Sequence, residues 1–297
     1  MFDLTIIGHF CLDYFKGREA FPDYIRIGGT TVYASKTAQK LGKKVAVISS
    51  IGPDFNDDFI KPLTESGINI HLIRTNKKST GFIHEYIKGV RKLILKSRCK
   101  IVNQTDIPDE FLDSKLFYIG AIANEIDTSV LEKISKTNAP IALDLHGFVR
   151  KFNKKGEMSL SYWPEAEKYL QFVTFLKGTD TEARALTGLK NLQDIVKVLA
   201  SMGPKVVILT LAKRGSLIYS NNISLQIPTI AYEIIDETGA GDTYFTAFML
   251  DYLEKQDLYH AAIFGASAAS FVMEEQGPFG FGTTDKIEKR VQKFLNK

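Results

Sequence analysis

The chain is 297 residues long, 44% hydrophobic and 24% charged, with a formal net charge of +4. That length accommodates one large α/β domain or two smaller ones, and the composition is that of a soluble globular protein. The mild charge suits an enzyme of anionic ligands and makes no case for nucleic acid, which calls for a concentrated basic patch; two cysteines make no disulfide framework or zinc pair.

No apolar run reaches the roughly 18–20 residues of a membrane span. Met1-Phe2-Asp3 ahead of a short apolar strand lacks the charged and hydrophobic regions of a signal peptide, so a reducing, cytoplasmic setting is expected. Leu4 to Gly8 reads as a buried strand. Asp13 follows it and either accepts substrate hydroxyls or lies in a solvated turn. Residues 13–27 are aromatic-rich hairpin material, with Tyr14, Phe15, Phe21, Pro22, Tyr24 and Ile25. Gly28-Gly29 then allows close approach of a ligand, or simply opens the next helix. That helix runs from Thr30 to Leu41 and stops at Gly42. A strand, Lys44 to Ser49, and a helix, Asp57 to Ser66 closed by Gly67, come next.

Residues 79–97 read as two strands, Gly81 to Ile87 and Arg91 to Leu95, around a Lys88-Gly89 turn. With 13–27 they would form a small sheet over one edge of the main domain, either a lid or a pair of surface hairpins. Lys88, Arg91, Lys92, Lys96, Arg98 and Lys100 alternate with Val90, Leu93 and Leu95, the pattern of a solvated strand face. Later strands are expected at Leu116 to Ile119, Pro140 to Leu143, Phe172 to Leu176 and Val206 to Leu211. Helices between most of them make this a parallel sheet covered on both faces, with ligands beyond the strands' carboxyl ends.

Polar residues at those ends are the candidates. Asp144 and Arg150 follow the strand ending at Leu143, and reach the sheet edge or pair on the surface. His146 has no metal-like spacing to another histidine and reads as structural. Thr179 or Asp180 can cap a helix from Glu182 to Leu186, and Glu182 can position magnesium through water. Thr210 to Gly215 is a strand end and turn, either the wall of a nucleotide pocket or an ordinary hairpin.

Asp236-Glu237-Thr238-Gly239-Ala240-Gly241-Asp242 is the most informative stretch. It precedes an apolar helical run, Thr243 to Leu253, so amides without helical partners and the helix dipole attract an anion there. The Asp242 carboxylate would repel a phosphate unless it takes a proton from an incoming hydroxyl. Phosphoryl transfer to an alcohol follows, unless the turn only caps a helix. The chain has no P-loop, no His-Glu-x-x-His and no Gly-x-Ser-x-Gly.

Taken together these segments resemble the ribokinase-like (PfkB-type) carbohydrate kinases over essentially the whole chain. Asp236–Asp242 carries the likeness, supported by the Gly28-Gly29 helix segment and Gly52-Pro53-Asp54-Phe55. The resemblance implies one kinase domain over 1–297, a three-layer α/β/α sandwich with a β lid from about 13–27 and 79–97. It implies ATP and magnesium, Asp242 as catalytic base, and the amides of Gly239, Ala240, Gly241 and Asp242 as anion hole. Asp13, Gly28, Gly29, Tyr33, Asp144 and Arg150 are then the acceptor pocket. Thr210, Ala212, Gly215 and Thr179 join Gly239 and Gly241 on the nucleotide side, Glu182 holds magnesium through water, and Asp236 and Thr238 hold a monovalent cation, potassium.

Two positions depart from the family pattern. Thr179 stands where the usual Asn-x-x-Glu has asparagine, and Tyr33 where sugar-kinase members often have asparagine. Ala142 to Arg150 and Gly29 to Ala34 are similar to archaeal myo-inositol kinases, which suggests inositol as acceptor and leaves sugars and nucleosides open. A vitamin kinase of the same fold and a non-catalytic nucleotide or sugar sensor are the alternatives. The apolar residues of 14–27 would allow a homodimer through the lid.

Overall fold

Successive residues of the central strands enter two separate cores. Leu4, Ile6, Val45, Val47, Val206 and Ile208 pack into one, and Ile7, Ala46, Ile48, Val207 and Leu209 into the other. Side chains of a strand alternate across the sheet, so runs apolar at every position must be covered on both faces. In the computed structural model they are, and the architecture is a three-layer sandwich. The structure describes residues 1–16, 24–87 and 90–296. Phe21, Pro22 and the Lys88-Gly89 turn lie outside the described residues.

Nine strands form the main sheet, with the first strand, Leu4–Ile7, seventh in the spatial order. Leu4–Ile7 runs parallel to Val45–Ile51 on one side and to Phe117–Ile119 on the other. Ile141–Asp144, Phe175–Thr179 and Val206–Thr210 continue in parallel. An antiparallel hairpin, Ser216–Ser220 with Ile223–Ile227, closes that edge. Thr30–Lys40, Ala240–Lys255, Leu258–Met273 and Thr284–Leu295 cover one face; Ser129–Ser135, Ala166–Leu170, Asp180–Thr187 and Leu192–Ser201 cover the other. No helix among the described residues is long and apolar enough to cross a membrane.

A separate four-stranded sheet has the order Tyr24–Gly28, Cys11–Lys16, Gly81–Ile87, Val90–Ser97. Its central pair, Cys11–Lys16 and Gly81–Ile87, is parallel, which joins two hairpins side by side. Asp13 is therefore a buried strand residue and not part of a turn.

Four expectations shift. The helix expected from Asp57 to Ser66 is a short 3-10 turn, Asp57–Phe59, and a separate helix, Lys61–Glu65. Pro62 has no N–H to continue a ladder but is tolerated in a first turn, so the helix restarts there. Asn69–Arg74 is an unforeseen parallel edge strand, only half-buried and hence without a clean apolar run. The strand expected at Phe172 to Leu176 starts at Phe175 and continues through Lys177, Gly178 and Thr179. The closing hairpin was missed although its turn is plain. Asn221 and Asn222 take φ of 48° and 63°, the conformation of a two-residue hairpin loop.

Candidate active site

The helix Ala240–Lys255 starts directly after Gly239, whose φ of 78° is left-handed. A β-carbon there would lie 2.0 Å from Tyr33 Cδ1, so backbone conformation and the packed Tyr33 ring both require glycine. Ala240 N–H donates to Glu237 O at 3.3 Å, and Thr243 N–H to Gly239 O at 2.9 Å. The amides of Gly239, Gly241 and Asp242 have no acceptor among the described residues. Of the amides expected to hold an anion, Ala240's is thus already engaged. The rest sit at the positive end of a 16-residue helix.

Asp242 Oδ1 accepts a hydrogen bond from Thr30 Oγ1 at 3.2 Å and lies 3.4 Å from Lys177 Nζ. Lys177 is buried and also paired with Asp144, whose Oδ1 is 2.8 Å from His146 Nδ1. Burial pushes the Asp144 pKa up, but His146 and Lys177 outweigh it and hold the carboxyl well below its usual range. Burial likewise opposes charge on Lys177, yet Asp144 and Asp242 raise its pKa above the ordinary value. A buried ammonium therefore stands between a carboxylate that lines the cavity and one behind it.

The cavity measures about 420 Å³. Asp13, Gly29, Thr30, Tyr33, Phe82, His84, Leu93 and Ile122 line one side, from the small sheet, the first helix and a loop. Thr210, Ala212, Gly215, Pro228, Ile230, Ile234, Ala266, Ala269 and Met273 line the other. Thr238 to Asp242, Lys177, Thr179, His146 and Arg150 line it as well, with Lys213, Ser216, Thr229, Glu237 and Tyr244. His84 Nε2 lies 3.1 Å from Asp13 Oδ1, and its ring stacks on Phe15 with centroids 4.5 Å apart.

Several candidates stand elsewhere than expected. Asp144 is fully buried behind the wall, and its partners are Lys177 and His146, not Arg150. Gly28 does not line the cavity. A β-carbon on it would lie 1.9 Å from Asp13 Oδ2, so it makes room for that carboxylate. His146, read as structural, does line the cavity, and its buried Nε2 has no hydrogen-bond partner among the described residues. The histidine's spacing suggested no metal, and that test does not detect a carboxylate two residues earlier fixing its ring. Lys177 and Thr30 carry no such signal in the sequence. Lys177 lay just past the expected strand end, and Thr30 looked like an ordinary helix opener.

Glu182 is almost wholly enclosed. Its Oε1 accepts from Arg150 Nη2 at 2.8 Å and Nε at 3.1 Å, and its Oε2 accepts from Thr179 N–H at 2.9 Å. Burial raises the Glu182 pKa, and Arg150 beside it more than reverses this. Thr179 Oγ1 accepts from Glu182 N–H at 3.1 Å, which completes a capping box at the start of the helix Asp180–Thr187. Both oxygens of Glu182 thus accept hydrogen bonds from Arg150 and Thr179, which leaves the water-mediated contact with magnesium as the one expected of it. Thr179→Ala should cost about 1 kcal/mol of stability in a urea titration, and Thr179→Asn much less, because asparagine caps as well. An unchanged midpoint for the alanine variant would remove Thr179 from the capping role.

Asp236 does not line the cavity either. Its Oδ1 accepts from Thr238 N–H at 3.0 Å, and its Oδ2 from Gly277 N–H at 3.2 Å and from both terminal nitrogens of Arg26 at 3.4 Å. Burial pushes its pKa up, and the Thr238 hydrogen bonds and the Arg26 charge bring it below the ordinary value. A guanidinium from the small sheet thus stands against the Asp236 carboxylate, beside the place where a monovalent cation was expected.

A family model described as pfkB family carbohydrate kinase matches residues 25–281. Among curated relatives, a cytidine kinase of Thermococcus kodakarensis is 24% identical over 93% of this chain and 98% of its own. A nucleoside kinase of Methanothermobacter thermautotrophicus is 25% identical over 93% and 90%. Among solved structures, a pyrophosphate-dependent kinase in the ribokinase family, complexed with a pyrophosphate analog and myo-inositol, superposes with a TM-score of 0.83 at 23% identity, covering 96% of this chain and 99% of that one. Arabidopsis thaliana ribokinase complexed with ribose and ATP gives 0.79 at 19% identity, over 97% and 98%.

Proposed function

Since the chain belongs to the pfkB family of carbohydrate kinases and is a phosphotransferase with an alcohol acceptor, we propose that it moves the terminal phosphate of ATP to a hydroxyl of a nucleoside. A cyclic polyol such as myo-inositol is the second reading. One observation carries the proposal. A single cavity is lined by Asp13 and His84 of the small sheet and by the apolar residues Pro228, Ile230, Ala266, Ala269 and Met273, and Asp242 is part of the same wall.

The acceptor enters beneath the small sheet, which acts as a lid. Asp13 and His84 receive its hydroxyls. Asp242 removes the proton of the attacking hydroxyl as its oxygen meets the terminal phosphorus in line. Free amides at Gly239, Gly241 and Asp242, with Lys177 beside them, stabilise charge on the transferring group, and most catalysis of phosphoryl transfer arises this way. Magnesium, when bound to the donor phosphates, would neutralise part of their charge.

ATP is favoured as donor because Pro228, Ile230, Ile234, Ala266, Ala269 and Met273 form an apolar wall. A bare pyrophosphate would leave that wall uncovered, whereas an adenine ring buries against it. The same argument ranks the acceptors. Phe82, Leu93 and Ile122 line the acceptor side beside Asp13, and a nucleobase covers them better than an inositol ring does. The myo-inositol complex of the similar fold supports the second reading.

An acceptor and donor screen tests this. With ATP, the best nucleoside should show kcat/KM at least about tenfold above myo-inositol, since a few apolar contacts are worth 1–3 kcal/mol. Phosphate transfer with pyrophosphate alone would overturn the donor assignment. A higher kcat/KM for myo-inositol would reverse the acceptor order, and no product with any pair would sink the kinase reading.

A further inference from the structure

A second concavity, of about 360 Å³, lies outside the cavity described above. Lys96 and Arg98 stand on one side of it, and Lys151 and Lys154 on the other. None of the four has a carboxylate partner within ion-pair distance among the described residues, and no acidic residue lines the groove. Lys96 lies over the Tyr14 ring, 3.4 Å from its centroid, and Arg98 donates to Ala123 O at 3.0 Å.

The groove is built, not an accident of loose side chains. The turn that carries Lys154 is fixed by Asn153, whose Oδ1 accepts from Lys155 N–H at 2.9 Å and Glu157 N–H at 3.0 Å. Gly156, at φ 77°, brings the turn onto the small sheet, where Leu95 N–H donates to Gly156 O at 2.9 Å. A β-carbon on Gly156 would lie 2.1 Å from Leu95 O, so glycine permits this approach. Four exposed cations from two distant stretches thereby border one hollow whose backbone is fixed. With no carboxylate among their partners in the described residues, their mutual repulsion is offset when an anion binds.

We propose that this groove is a binding site for a small, multiply charged phosphate anion, distinct from the catalytic cavity. Its size suits a di- or triphosphate group and not a duplex, and the chain's net charge of only +4 gives no extended basic face. Lys151 adjoins Arg150, and Asn124 of the groove donates to Gly147 O at 2.9 Å, so the groove and the catalytic cavity share a backbone wall. The inference holds whichever alcohol the enzyme phosphorylates.

Residue-resolved NMR during titration with inorganic tripolyphosphate, in low salt, separates the two sites. Amides of residues 95–98 and 151–156 should shift together and saturate. Amides of 239–242 report the catalytic cavity independently, so a failure there would count against the proposed function and leave the groove standing. Lys151→Ala combined with Lys154→Ala should weaken the groove response at least about tenfold, as loss of two charge-assisted contacts implies. The exposed pair Lys136→Ala and Lys197→Ala, which removes the same charge elsewhere, should leave it unchanged. Silent groove amides at millimolar tripolyphosphate, or equal weakening by both double variants, would overturn the proposal.

Discussion

Asp242→Asn is expected to lower kcat by about 10²–10⁴, the usual worth of a general base. Asparagine keeps the shape and still accepts from Thr30 Oγ1, so the loss would report proton removal and not collapse of the turn. Lys177 keeps Asp144 as partner, and the fold should therefore tolerate the change. Donor affinity should hold or tighten, because a negative charge beside the free amides of the helix end repels phosphate in the wild type. Direct titration with a non-hydrolysable ATP analogue and single-turnover rates give both quantities. Turnover within about fivefold of wild type would remove Asp242 from the base role. Weakened donor binding with unchanged chemistry would instead make it a binding residue.

How far the sequence reaches is clearest at the two ends of the strand Phe175–Thr179. Its apolar part was legible, because alternating burial on two faces leaves an unbroken hydrophobic run. Its functional end was not, because Lys177, Gly178 and Thr179 break the run where the strand enters the site. Local signals served wherever one turn decides the outcome, as at Gly239 and Thr179. They failed where partners come from distant segments. Nothing near Asp236 announces that Arg26, 210 residues away, is its counter-charge. Nothing near Glu182 announces its pairing with Arg150, 32 residues earlier. Asp144 and Arg150 share a short segment and were expected in one pocket, yet the fold gives each a different partner.

Lys177→Met should be the most damaging single change, with two separable effects. Removing the cation leaves Asp144, a fully buried carboxylate, without the ammonium paired with it, and with His146 Nδ1 at 2.8 Å and the Tyr118 hydroxyl at 3.5 Å beside it. Breaking a buried pair from one side typically costs about 3–5 kcal/mol, which urea unfolding at pH 7 would register. The pH dependence follows from the shifts. In the wild type the depressed Asp144 pKa contributes stability that is full above the unfolded value of about 3.9 and lost as pH falls through the folded one. The raised Lys177 pKa contributes stability that is full below its unfolded value and lost only as pH rises through the folded one, so the pair is intact from about pH 5 to 9. In the variant the unpaired carboxyl titrates upward, so the stability gap to wild type should narrow as pH is lowered from 7 toward 4. Adding Asp144→Asn removes the orphaned charge and should restore most of the stability at pH 7. It should not restore kcat, because the cation beside the transferring phosphate is still missing. Recovery of both by the double variant would show that Lys177 serves the fold alone, and a stability gap independent of pH would disprove the pairing with Asp144.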